Sequence, residues 1–122
     1  ARPFIYTTAL APHSIVAIER AFNYLRQNIS LQSLLQKKIN EFVTNISPLT
    51  NRTSSDSAIQ TVIFPGNENT KRAALKLQQT GLDIRPVLSP TVPIGAERLR
   101  ICLHTYNTLD EITKLTDELK KL

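Results

Sequence analysis

The stretch "SPTVPIGAERLRICLH", Ser89 to His104, holds the residues best suited to do chemistry in this chain. Its second half alternates with period two, so Leu99, Ile101 and Leu103 point one way along a strand. Arg98, Arg100, Cys102 and His104 point the other. Two guanidiniums on the open face of a half-buried strand need an anion. Arginine presents a rigid fork that matches a carboxylate in two parallel hydrogen bonds. Just before them, Pro90 and Pro93 stiffen a loop on which Thr91 can offer its hydroxyl at little ordering cost. A stiff loop, a hydroxyl and then arginine suit a substrate carboxylate or phosphate. Patterning alone serves equally well for surface ion pairs between these arginines and acids such as Glu97 or Glu111.

Other chemistry finds less support. The chain has no Gly-rich phosphate loop, no paired-cysteine metal site and no G-x-S-x-G elbow. His13 and His104 lie far apart and lack a third metal ligand, and Cys102 has no neighbouring base to activate it. The lysines fall on helix surfaces and read as solvated. No metal is expected.

The elements that must position the arginines follow from local pattern. Residues 1–12 read as an extended opening segment rich in β-formers, and Pro12 suits the first turn of a helix. Ile15, Ile18, Phe22 and Leu25 recur at helical spacing. Ser30 can cap a second helix carrying Leu31, Leu34, Leu35, Ile39, Phe42 and Val43, which Pro48 stops. "SPLTNRTSSDSA" reads as a surface loop and "IQTVIFPG" as a strand closed by a Pro-Gly turn. A helix follows, with Asn67 or Asn69 as cap and Gly81 as its stop. "LDIRPV" reads as a strand whose Pro86 confines it to an edge or a bulge. The last helix opens on Thr108-Leu-Asp-Glu111, a capping box, and bears a stripe of Ile112, Leu115, Leu119 and Leu122.

The expected fold class is therefore α/β: a two-layer sandwich with a small, mainly antiparallel sheet and helices on one face. Residues 13–46 form a helical segment and residues 58–122 run strand-helix-strand-strand-helix, all within a single domain. That architecture leaves function open.

Composition narrows the classes. The chain has 122 residues, of which 41% are hydrophobic and 20% charged, enough for one modest core. No apolar run approaches the roughly 20 residues that span a bilayer, so no membrane is expected. The single cysteine fits a reducing cytoplasm. The net charge of +5 invites a nucleic-acid reading, but the basic residues are scattered and only three tyrosines and four phenylalanines could stack on bases. A solvated surface is favoured over nucleic acid. An acidic or phosphate-bearing partner remains the third reading. The chain has no methionine and opens at Ala1 inside an extended segment, which reads as a piece of a longer protein.

"SPTVPIGAERLRICLHTYNTLDEITKLTDEL" resembles the C-terminal end of the α-oxoamine synthases, pyridoxal-phosphate (PLP) enzymes that join an amino acid to an acyl-CoA. The shared pattern is P-T-V-P-x-G-x-x-R-L-R, a His-Thr segment and a last helix. "RPFIYTTALAP" and "VIFPGNENTKRAALKLQQTGLDIRPVLSPTVP" are similar to that family in the same order, so nearly the whole chain is covered. The resemblance implies the small domain of a fold type I, aminotransferase-like enzyme. It further implies that Arg100 binds the amino-acid carboxylate, that Thr91 contacts substrate, and that Thr7 and Thr8 help hold the cofactor phosphate across a homodimer interface. Arg98 receives no role from it beyond a structural ion pair. The Schiff-base lysine, the histidine that stacks on the cofactor and the aspartate that pairs with its nitrogen belong to a large N-terminal domain, so this piece alone is expected to be inactive. The alternative from another class is a free-standing α/β ligand- or nucleic-acid-binding module.

Overall fold

In the computed structural model, which describes residues 9–122, the alternation around Arg100 becomes the central strand of the sheet. The chain divides into two compact units, Ala1–Gln32 and Ser33–Leu122. Within the first, α1 (Pro12–Gln27) starts on a proline as its fixed φ favours, and ends where the Asn28 side chain donates to the Tyr24 carbonyl at 2.8 Å. None of its side chains is buried. The expected stripe of Ile15, Ile18, Phe22 and Leu25 is present and faces outward.

The second unit holds most of α2 (Ser30–Asn45), then β1 (Ile59–Ile63), α3 (Asn67–Gln79), β2 (Arg85–Val87), β3 (Arg98–Cys102) and α4 (Leu109–Lys120). The strands lie in the order β1-β3-β2, and both pairings are antiparallel. β2 is an edge, where Pro86 leaves no outer ladder bond wanting. Leu99 and Ile101 lie opposite Val62 and Gln60, and all four are buried on one face. Against that face pack Ile39, Phe42 and Ile46 from α2 and its end, Ala73, Ala74 and Leu77 from α3, and Ile112, Leu115 and Leu119 from α4. Burial of the larger of these side chains, the leucines, isoleucines and Phe42, each contributing roughly 1.5–3 kcal/mol, is what holds the strand carrying Arg100 in place.

Two helix ends follow their sequence signals. At the end of α3 the Leu82 amide donates to the Leu77 carbonyl at 3.1 Å and the Gly81 amide to Gln78 at 2.9 Å, with Gly81 at φ 86. That is the paired closure a left-handed glycine allows, and Leu82 packs on the core beside it. At α4 the reciprocal bonds of the capping box between Thr108 and Glu111 are both present.

Three expectations are corrected. The N-cap of α3 is Gly66, with no side-chain capping bond; Asn67 and Asn69 spend their amides on the Ser89 and Pro65 carbonyls instead. The segment expected as a surface loop pairs with the sheet. Arg52 bridges Val62, Thr53 N–H reaches the Thr61 carbonyl at 3.1 Å, and Ile63 N–H reaches that of Asn51 at 2.8 Å. Its polar composition masked this because an edge needs backbone partners, not apolar side chains. Finally, Lys38 is not solvated: it is buried, and its ammonium donates to the carbonyls of Thr105 and Asn107. A lysine with its charge satisfied by carbonyls ties α2 to the turn between β3 and α4.

Candidate carboxylate-binding face

The sheet's second face carries the arginines. Arg100 is exposed there, between Thr61 of β1 and Arg85 of β2 as its opposite neighbours. Arg98 is half-buried and lies opposite Ile63 and Val87; Cys102 and His104 are exposed. The inward and outward sets are those the alternation predicts, because a pleated strand admits no other division.

Neither arginine makes the ion pair that patterning allowed. Arg98 donates its Nε to the Ala96 carbonyl at 2.8 Å and has no acidic partner among the described residues. Glu97 is buried, with Oε2 accepting from the amides of Gly66 at 2.8 Å and Gly95 at 2.9 Å. Glu111 is engaged in its capping box. Both acids are thus committed to backbone N–H groups. Arg85 does have a partner, Asp83, at 2.9 Å through Nε and 3.2 Å through Nη2. Arg100 has no ion pair and no side-chain hydrogen bond among the described residues. Two like charges directly opposite on neighbouring strands oppose pairing, and Asp83 offsets only one of them. The remaining positive charge is free to meet an anion.

Arg100 borders a cavity of about 510 Å3 whose rim also includes Arg85, Asp83, His104, Tyr106 and Lys114. The His104 and Tyr106 rings stack there at 4.8 Å. Thr91 does not line this cavity; it is exposed in the loop before β3. Thr7 and Thr8 lie outside the described residues. Arg85 was the neighbour that sequence reading missed. "LDIRPV" was legible as a strand, but its register against "RLRIC" was not.

The two committed glutamates carry a pH signature. The Gly66 amide above all, with the amides of Glu97 itself and Gly95, holds the Glu97 carboxyl below the usual carboxylate range against the opposing effect of burial. The Thr108 amide, then the Asn107 side chain, does the same for Glu111. A carboxyl whose folded pKa is depressed contributes stability that is complete above its unfolded value, about 4.3, and is lost as pH falls through the folded value. Acid titration of this chain should therefore show stability level near neutrality and falling below about pH 4.3. Glu97→Gln and Glu111→Gln should each flatten that fall in urea melts run across the window. Equal slopes in variants and parent would contradict the assignment.

The described residues offer little to a PLP cofactor. Lys38, the buried lysine, is held by two carbonyls, and no group of His, Cys, Asp and Glu suited to a metal occurs among the described residues. The donors present fit a small carboxylate rather than the cofactor's ring and phosphate.

No family model matches the chain. It is 33% identical to the 8-amino-7-oxononanoate synthase of Serratia marcescens over 120 residues, 98% of this chain and 31% of that protein. The enzyme of the same name from Emericella nidulans is 33% identical over 124 residues, 96% of this chain and 30% of that protein. Among solved structures, the 8-amino-7-oxononanoate synthase of Francisella tularensis superposes with a TM-score of 0.76 at 25% identity, over 98% of this chain and 35% of that one. Over nearly its whole length the chain is thus similar to part of the 8-amino-7-oxononanoate synthases. A serine palmitoyltransferase from S. paucimobilis with bound PLP shares the fold, with a TM-score of 0.79 at 20% identity over 99% of this chain and 31% of that one. The architecture is that of the C-terminal parts of fold type I PLP enzymes, an α/β sandwich with a small antiparallel sheet as expected. The α-oxoamine synthases are PLP-dependent, and this chain spans about a third of the length of the curated relatives it matches.

Proposed function

We propose that this chain is the C-terminal small domain of 8-amino-7-oxononanoate synthase, which condenses L-alanine with a pimeloyl thioester and releases carbon dioxide and CoA. The observation that carries the reading is Arg100, an exposed guanidinium without a partner among the described residues, on the strand of a chain related at 33% identity to synthases of that name. Arg100 holds the alanine carboxylate and Thr91 borders the same substrate. PLP, held by the large N-terminal domain with Thr7 and Thr8 adding contacts to its phosphate, supplies the electron sink when bound. The Ile15, Ile18, Phe22 and Leu25 stripe of α1 is then the surface that the rest of the protein covers, since a row of apolar side chains this exposed favours burial. The whole enzyme acts as a cytoplasmic homodimer, and this domain without the rest neither binds PLP covalently nor turns over.

The test is a substrate panel on the full-length protein. L-Alanine with pimeloyl-CoA should release CoA and carbon dioxide. Preference for glycine with succinyl-CoA would make it a 5-aminolevulinate synthase, and glycine with acetyl-CoA a glycine C-acetyltransferase. Failure of every pair, with salt-dependent nucleic-acid binding by this chain, would instead favour a free-standing binding module.

A further inference from the structure

The loop between β2 and β3, which presents Thr91 and delivers the chain to Arg98 and Arg100, is anchored at both ends to one place. At its start, Ser89 N–H donates to Asn67 Oδ1 at 2.9 Å and the Asn67 amide returns a bond to the Ser89 carbonyl at 3.3 Å. At its end, Glu97 Oε2 accepts from Gly66 and Gly95, and the Phe64 amide donates to the Glu97 carbonyl at 2.9 Å. Asn67 and Gly66 are adjacent, at the first turn of α3. Gly66 reaches this arrangement with φ 91, a conformation that a side chain would strain. Thr70, fully buried, donates to the Phe64 and Gly66 carbonyls and so fixes the turn from beneath. Inside the loop, Val92 N–H meets the Leu88 carbonyl at 3.3 Å and Ala96 N–H that of Pro93 at 3.0 Å.

A buried carboxylate is costly unless fully satisfied, and Glu97 has no basic partner among the described residues. A purely structural position would favour an apolar residue. What the carboxylate adds is a pair of charge-assisted bonds that lock two separate turns together. From this we infer that Glu97 and Asn67 are positioning residues: they hold the Thr91 loop and the start of β3 so that the amino-acid carboxylate meets Arg100 in one orientation. The inference rests on the reading of Arg100 as the carboxylate site. Neither residue touches substrate; both act through the loop.

The experiment uses the full-length enzyme with PLP bound and compares Glu97→Ala, Glu97→Gln, Asn67→Ala, Arg100→Ala and the core control Leu119→Ala. Loosening the loop should raise the amino-acid KM about tenfold in Glu97→Ala and Asn67→Ala, since small misplacements of a binding group carry penalties of this order or larger. The acyl-thioester KM should stay within about twofold. Glu97→Gln should recover part of the loss, because its amide oxygen still accepts. Leu119→Ala removes a buried core side chain of α4 and lowers stability without removing a hydrogen bond of either anchor, so its amino-acid KM should not move. Should Glu97→Ala fail to fold, Asn67→Ala decides alone. A normal amino-acid KM in the folded anchor variants, alongside a raised one in Arg100→Ala, overturns this inference and leaves the carboxylate site standing. A normal KM in Arg100→Ala as well removes the site reading itself, and the inference with it.

Discussion

Arg100→Ala in the full-length enzyme is expected to raise the amino-acid KM about a hundredfold while leaving PLP content unchanged, as read by initial rates and cofactor absorbance. The magnitude follows from two charge-assisted hydrogen bonds, each worth about 1.5–3 kcal/mol, of which water returns a share when the site opens. Arg100→Lys should fall between, because a point charge attracts the carboxylate but cannot match its two oxygens at once. The acyl-thioester KM is the internal control. The structure sharpens the expectation in one respect: Arg85 stands directly opposite, but Asp83 already holds it, so that guanidinium is not free to take over. Asp83→Ala in the Arg100→Ala background should therefore restore some amino-acid affinity.

The second large effect is on stability. Phe42→Ala should destabilise the chain by about 3–5 kcal/mol, because the ring is fully buried in the hydrophobic core and its loss leaves a cavity. Against a total of about 5–15 kcal/mol, that is enough to populate unfolded chain at moderate temperature. Phe22→Ala is the matched comparison. Its ring sits in an equally helical pattern on α1 but is 64% exposed, so the cost should stay within about 0.5 kcal/mol. Urea melts of both variants with unchanged m-values read the difference. Equal costs would mean that the α1 stripe is packed in solution.

These two phenylalanines show where local pattern stops. Both lie on apolar stripes of helical spacing, and spacing is a property of neighbours along the chain, so both helices were legible. Which stripe finds a core depends on what lies across from it. α2 brings Ile39 and Phe42 into the buried core, whereas no side chain of α1 is buried. The same limit governs the site. The outward direction of Arg100, the capping box at Thr108 and the stop at Gly81 each follow from a few consecutive residues and were correct. The partners were not. Glu97 looked like an ion-pair candidate for the arginine beside it, yet a residue next along a strand points to the opposite face, and its carboxylate went to Gly66 and Gly95.

Periodicity, punctuation and caps were written in the order of the residues: four helices, a strand with arginines outward, and Thr91 in a stiff loop before it. Tertiary structure decided which residues from distant segments met. It set Arg85 against Arg100, joined Asn67 to Ser89, drew residues 51–53 onto the sheet and buried Lys38. The physical reason is register. Each of these contacts depends on how loops align separate elements to within one residue, and a shift of one would turn every side chain to the other face.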